Sequence, residues 1–163
     1  MSDQNLGLMQ AIEIAMEAEK KANKFYSDAA AKVAGSQGKN LLKQLADFEK
    51  NHYDKLDDLK KSLAKDGKFV KYEGTKFSSF KASSEVSGKI EPNTDEVLDI
   101  LSMAIEAEEK AHKHYARMAE ETSDPDGKDM FEKLADEEVM HRRVLSDEFY
   151  QISNSGGMWV WGE

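Results

Sequence analysis

Apolar residues recur along this chain in alternating steps of four and three, the spacing that keeps one stripe of a helix against a partner. The first stripe holds Leu8, Ile12, Ala15, Glu19, Ala22, Tyr26, Ala29 and Val33. A second holds Leu42, Leu45, Glu49, His52, Leu56, Leu59 and Leu63, and a third Val97, Leu101, Ala104, Glu108, Ala111, Tyr115 and Met118. The fourth holds Phe131, Leu134, Glu138, His141, Leu145 and Ile152. Four amphipathic helices predict an all-α four-helix bundle. The clusters Gly35-Ser36-Gln37-Gly38 and Ser123-Asp124-Pro125-Asp126-Gly127 read as short turns, so helices one and two form a hairpin and helices three and four another.

Between the hairpins, residues 66–93 are rich in Lys, Ser and Gly, with Pro92 ahead of a cap at Asn93 or Thr94. At ~3.3 Å per extended residue this connector spans a helix of about 28 residues, roughly 42 Å at 1.5 Å rise. A long crossover inverts the second hairpin and sets helices two and three parallel; its length also permits a simple up-down order. Phe69, Val70, Tyr72, Phe77 and Phe80 are expected to pin the connector to the bundle. Residues 1–163 read as one domain, with a non-helical apolar tail over 153–163 that contains Trp159 and Trp161 and packs across the bundle or a second copy.

The two hairpins are copies. A single shift of 89 residues carries Glu19, Glu49 and His52 onto Glu108, Glu138 and His141. Ala15, Ala18, Ala22, Tyr26 and Ala30 meet identical residues under the same shift. All six ionisable groups stand in apolar stripes, where an unpaired carboxylate costs several kcal/mol. Counted from each turn at 1.5 Å per residue, the glutamates lie roughly 20 to 25 Å down the bundle, so the six groups meet at mid-height. Each E-x-x-H pair shares a helix face. Two divalent cations balance four carboxylates, and the two imidazoles add no charge. Oxygen donors with some imidazole favour iron or manganese, with zinc as a further possible occupant.

The net charge of −9 argues against binding nucleic acid through a basic face. No apolar run has the length of a signal peptide or membrane span, so a cytoplasmic location with no membrane association is expected. The absence of cysteine removes disulfides, zinc-thiolate sites and iron–sulfur centres.

The run from Glu19 to Tyr26, the pair Glu49-Lys50-Asn51-His52, the run from Glu108 to Tyr115 and the pair Glu138-Val139-Met140-His141 together resemble the rubrerythrin family of ferritin-like di-iron proteins. The resemblance covers all four helices. It implies a ferritin-like bundle of two pseudo-symmetric hairpins joined by a crossover. It also implies two iron ions and reduction of hydrogen peroxide, or dioxygen chemistry. Glu19 and Glu108 would be terminal ligands, Glu49 and Glu138 bridging ligands, and His52 and His141 one on each iron. Tyr26 and Tyr115 would hydrogen-bond a carboxylate ligand of the opposite half.

Two departures bear on function. Rubrerythrins carry a cysteine-ligated rubredoxin domain; without cysteine the expectation is a form lacking it, fed by an external, rubredoxin-like electron donor. Rubrerythrins also place a further glutamate where this chain has Ala111. The symmetric shell that remains is closer to the ferroxidase sites of bacterioferritins, so a ferritin-like iron-binding protein is the alternative. A homodimer is expected, with Met9, Ile14 and Met16 as contact candidates. His112 is a candidate for lining the pocket, whereas His114, Glu17 and Glu106 read as surface groups. Glu109 turns off the stripe, and Asp47 and Asp136 either are solvated or orient a histidine.

Overall fold

The computed structural model describes residues 3–77 and 91–161, with the backbone alone for 3–6. Four helices follow the four stripes: α1 Asp3–Lys32, α2 Ser36–Asp66, α3 Thr94–Glu121 and α4 Pro125–Ser155. α1 packs chiefly on α2 and α3 on α4. Pairings across the bundle establish direction. Tyr26 of α1 bonds Glu108 of α3, and Tyr115 of α3 bonds Glu19 of α1, so α1 and α3 run antiparallel. With a tight turn reversing the chain between α1 and α2, α2 and α3 run parallel. The connector is therefore a crossover, and the bundle is ferritin-like.

Two apolar clusters fill the ends of the bundle. One gathers Leu41, Leu42, Leu45, Leu101 and Leu145 near the α1–α2 turn. The other gathers Ile12, Leu56, Leu59, Phe131 and Leu134 near the α3–α4 turn. The ionisable residues of the stripes occupy the layer between them. Met16 is buried in the second cluster, so it presents no contact surface, whereas Ile14 is exposed.

Three boundaries differ from expectation. α2 begins at Ser36 and α4 at Pro125, so Gly38 and Gly127 lie inside helices rather than in turns. α4 continues to Ser155, and the tail begins at Gly156 rather than at residue 153. The reason at both helix starts is packing. The ring of Trp159 covers Gly38 and the ring of Phe69 covers Gly127, each so closely that a Cβ would overlap it. The chain leaving each hairpin thus lays an aromatic ring on the other hairpin's second helix. The copies also end alike: Gly67 and Gly156, 89 apart, take φ of 65° and 76° and return their N–H to Leu63 and Ile152.

The connector is pinned where it is described. Phe69 meets Phe131 edge-on, Tyr72 is buried, and Phe77 packs at a tilt against Phe48. Phe80 lies outside the described residues. Asn93 occupies the cap position of α3 without a side-chain cap bond; Thr94 Oγ1 instead donates to Glu91 O. Buried Glu91 links three segments, accepting from the backbone N–H of Ala34 and Gly35 at 2.9 and 2.7 Å and from Trp159 Nε1 at 2.9 Å. It thereby fixes the backbone of the turn just ahead of α2, whose cap residue Gly35 makes no side-chain cap bond.

Gly38→Ala is expected to destabilise the chain by roughly 1–3 kcal/mol through overlap with Trp159, although alanine gains about 1 kcal/mol of helix propensity. In Trp159→Ala the overlap disappears, so the same substitution becomes neutral or stabilising. A denaturant double-mutant cycle checks this, and additive effects would contradict it.

Candidate metal centre

The polar layer is built by helix geometry. Glu19 and Glu108 point inward from α1 and α3, and Glu49/His52 and Glu138/His141 each leave one face of α2 and α4 together. All six side chains are at most 3 % exposed. Their donor atoms form two overlapping groups, Glu19, Glu49, His52 and Glu138, and Glu49, Glu108, Glu138 and His141. Within each group the atoms lie within 4.8 Å of one another, and Glu49 and Glu138 belong to both. The imidazole planes are stacked, 10° apart with centroids separated by 6.0 Å.

Inward-facing distances are short. His52 Nδ1 lies 3.0 Å from Glu138 Oε1 and 3.4 Å from Glu19 Oε1. His141 Nδ1 lies 3.1 Å from Glu49 Oε1 and 3.6 Å from Glu108 Oε1. The tyrosines cross between halves, with Tyr26 OH donating to Glu108 Oε1 at 2.5 Å and Tyr115 OH to Glu19 Oε1 at 2.6 Å. Each bond fixes one oxygen of an outer glutamate. The other oxygens, Glu19 Oε2 and Glu108 Oε2, are buried without a hydrogen-bond partner, as are Glu138 Oε1 and His52 Nδ1. Buried acceptors left open around one point are what a pair of cations would satisfy.

Proton affinities are sorted by the same geometry. Burial pushes Glu49 and Glu138 well above the usual carboxylate range, and the neighbouring carboxylates push the same way. Burial acts upward on Glu19 and Glu108 too. There it is outweighed by hydrogen bonds from Glu49 and Glu138, by the histidines and by the tyrosines, which hold Glu19 below its ordinary value and Glu108 down to about 2. Burial would lower His52, but Glu19, Glu137 and Glu49 outweigh it and hold the imidazole well above its usual value. Both tyrosines stay protonated, pushed up by burial and the carboxylate charges. Protons on Glu49, Glu138 and His52 thus take the place that cations would otherwise fill.

The layer opens on one side. A cleft of about 510 Å³ separates α1 from α3, walled by Ala18, Ala22, Ala107 and Ala111 and reaching all four glutamates. Ala22 and Ala111 are only half-buried because they face this cleft. Ile14 and Met103, another pair 89 apart, stand exposed at its mouth. His114 also lines it, with Nε2 3.0 Å from Ala11 O, so its expected surface position is corrected. His112 does not line it, and its Nδ1 is buried without a partner. Glu17, Asp47, Glu106 and Asp136 are exposed, and Glu109 pairs with Arg142 between α3 and α4.

Two further acidic residues of α4 stand outside the six, Glu137 beside the layer and Glu148 toward the tail. Glu137 accepts from Tyr72 OH and from the Thr75 N–H, both at 2.5 Å, and its Oε2 lies 3.4 Å from His52 Nε2. Glu148 is buried in α4 and accepts from the Val160 N–H at 2.9 Å. The signal for Glu137 is its counterpart in the other copy, which is Phe48.

The rubrerythrin family model matches residues 1–60 and 85–155. A hypothetical protein from Pyrococcus furiosus has a similar solved structure, with 27% identity, 93% of each chain covered and a TM-score of 0.71. None of the curated proteins matches the chain.

The proton pattern has a testable sign. Glu49, Glu138 and His52 hold protons more tightly folded than unfolded, so their contribution is complete below the unfolded values, 4.5 and 6.5, and is lost as pH rises through the folded ones. Glu19, Glu108 and Glu137 act oppositely, losing their contribution as pH falls below 4.5. Chelator-stripped protein is expected to melt highest in mild acid, with Tm falling as pH rises above about 5. Thermal melts check this, and a flat or rising Tm over that range would contradict it.

Proposed function

The chain belongs to the rubrerythrin family, and on that premise we propose that it is a di-iron oxidoreductase that reduces hydrogen peroxide or dioxygen. The observation that carries the reading is the pair of overlapping donor groups sharing Glu49 and Glu138. In this reading Glu19 and His52 would hold one iron and Glu108 and His141 the other, with Glu49 and Glu138 available to both. The donor set fits the group: four carboxylates match two divalent charges, and the open buried oxygens lie where ligand atoms must be. Manganese or zinc would fit the same donors.

Two irons supply paired one-electron chemistry and Lewis acidity toward a bound oxygen species. The chain's residues do the rest. Tyr26 and Tyr115 each hold one oxygen of an outer glutamate, leaving its partner oxygen free for a ligand. The apolar ends of the bundle keep bulk water from the layer. The cleft between α1 and α3 provides the route by which a small oxidant reaches the glutamates. Ala111 leaves that wall without a further carboxylate, which favours a ligand shell that stays in place between oxidation states.

Electrons come from a separate donor of rubredoxin type. Ile14 and Met103 give the cleft mouth the apolar surface of a homodimer contact, and the cytoplasm is the proposed location. Among the described residues no helix is long and apolar enough to cross a membrane. The second reading, a ferritin-like protein that oxidises and holds iron, draws on the same symmetric shell and Ala111.

Anaerobic stopped-flow mixing of the di-ferrous protein with peroxide is expected to oxidise the irons far faster than free ferrous iron. Oxidation no faster than the free ion would overturn the enzymatic reading, and retention of excess ferric iron would favour the second. Tyr26→Phe and Tyr115→Phe, measured by competition with a chelator, are each expected to weaken metal binding by about 10–100-fold. Unchanged affinity would remove the tyrosines from the ligand support.

A further inference from the structure

The two copies differ at the outer faces of their histidines. Nε2 of His52 points away from the layer toward Glu137 Oε2, 3.4 Å away, an ion-pair contact close to hydrogen-bond length. Glu137 is held there on both oxygens by Tyr72 and Thr75. Neither Nε2 completes a hydrogen bond, but that of His141 has no carboxylate facing it among the described residues, its ion-pair contacts all lying at Nδ1. Its ring is boxed instead by Phe48 at 4.8 Å and Phe77 at 5.3 Å, with Trp161 on the far side of Phe77 at 5.1 Å. The shift of 89 carries Phe48 onto Glu137 and Tyr72 onto Trp161. The carboxylate beside one histidine is thus a phenylalanine beside the other, and the tyrosine that holds the carboxylate, itself edge-on to His52 at 6.4 Å, is replaced by a tryptophan.

A carboxylate against the outer nitrogen selects the tautomer that carries its proton there. The inner lone pair is then free for a metal, and the ring becomes a stronger donor. An aromatic box does neither. Glu137 also adds a negative charge on one side of an otherwise balanced layer. We propose that Glu137 is a positioning residue acting through His52, so that the metal position of Glu19 and His52 binds a divalent ion more tightly than that of Glu108 and His141. The inference rests on the dinuclear reading of the six residues and adds an order to it: the His52 side fills first.

The test uses the full chain, stripped of metal and titrated anaerobically with cobalt(II), followed by visible absorption and calorimetry. Two separate steps are expected. Glu137→Gln keeps an acceptor for the Thr75 N–H but removes the charge, and is expected to weaken the tighter step by about 10–100-fold while leaving the weaker one in place. Tyr72→Phe tests a merely structural role: it loosens the connector's hold on Glu137 but leaves the carboxylate beside His52, and should retain two separate steps. Mössbauer spectra of protein loaded with ferrous iron-57 should show two quadrupole doublets of equal area, drawn closer together in Glu137→Gln. Two equivalent steps in the unaltered chain, an unchanged isotherm in Glu137→Gln, or Tyr72→Phe reproducing that variant would overturn the inference alone. Uptake of fewer than two ions would remove the dinuclear reading and the inference with it.

Discussion

Mutual repulsion among four buried carboxylates is the constraint around which this bundle is organised. Glu19, Glu49, Glu108 and Glu138 share one buried layer with two imidazoles and two tyrosine hydroxyls. Such a layer is tolerable only when positive charge, carried by protons or by metal ions, sits between the carboxylates. The duplicated hairpin meets this need economically, because each half supplies the same donors from opposite sides. The crossover brings α1 and α3 antiparallel, which lets each tyrosine reach the other half's glutamate.

The apolar structure serves that layer. Two clusters close its ends, while alanines on α1 and α3 keep one side open. The segments leaving the hairpins bind the halves together, Phe69 and Trp159 each seating on a helical glycine of the opposite hairpin and Glu91 tying connector, turn and tail. Any metal held there would couple its affinity to fold stability, since the donors lie on all four helices and cannot move apart without opening the bundle.

Most of this was legible in the residues. The stripes mark the four helices, and Glu and His within them, recurring under one shift, mark the six inward groups. Gly38 and Gly127 misled because glycine near a reversal resembles a turn residue, whereas here it makes room for an aromatic ring distant in sequence. The tail started late for a related reason: Gly156, not the preceding polar residues, supplies the left-handed cap. Glu91 stands out in no pattern, and Glu137 is marked only by facing Phe48 under the shift. Their environments come from the connector and tail, whose course no periodicity describes. His114 was misplaced because the small alanines leave the space between α1 and α3 unfilled, and His114 turns into that cleft.

The central claim is that two cations occupy the shared layer. An anomalous-scattering map at the iron edge, from crystals of protein purified with its native metal, tests it most directly. The account predicts two peaks, both between Glu49 and Glu138, one beside His52 and the other beside His141. A single peak, no peak, or density away from those six side chains would contradict it.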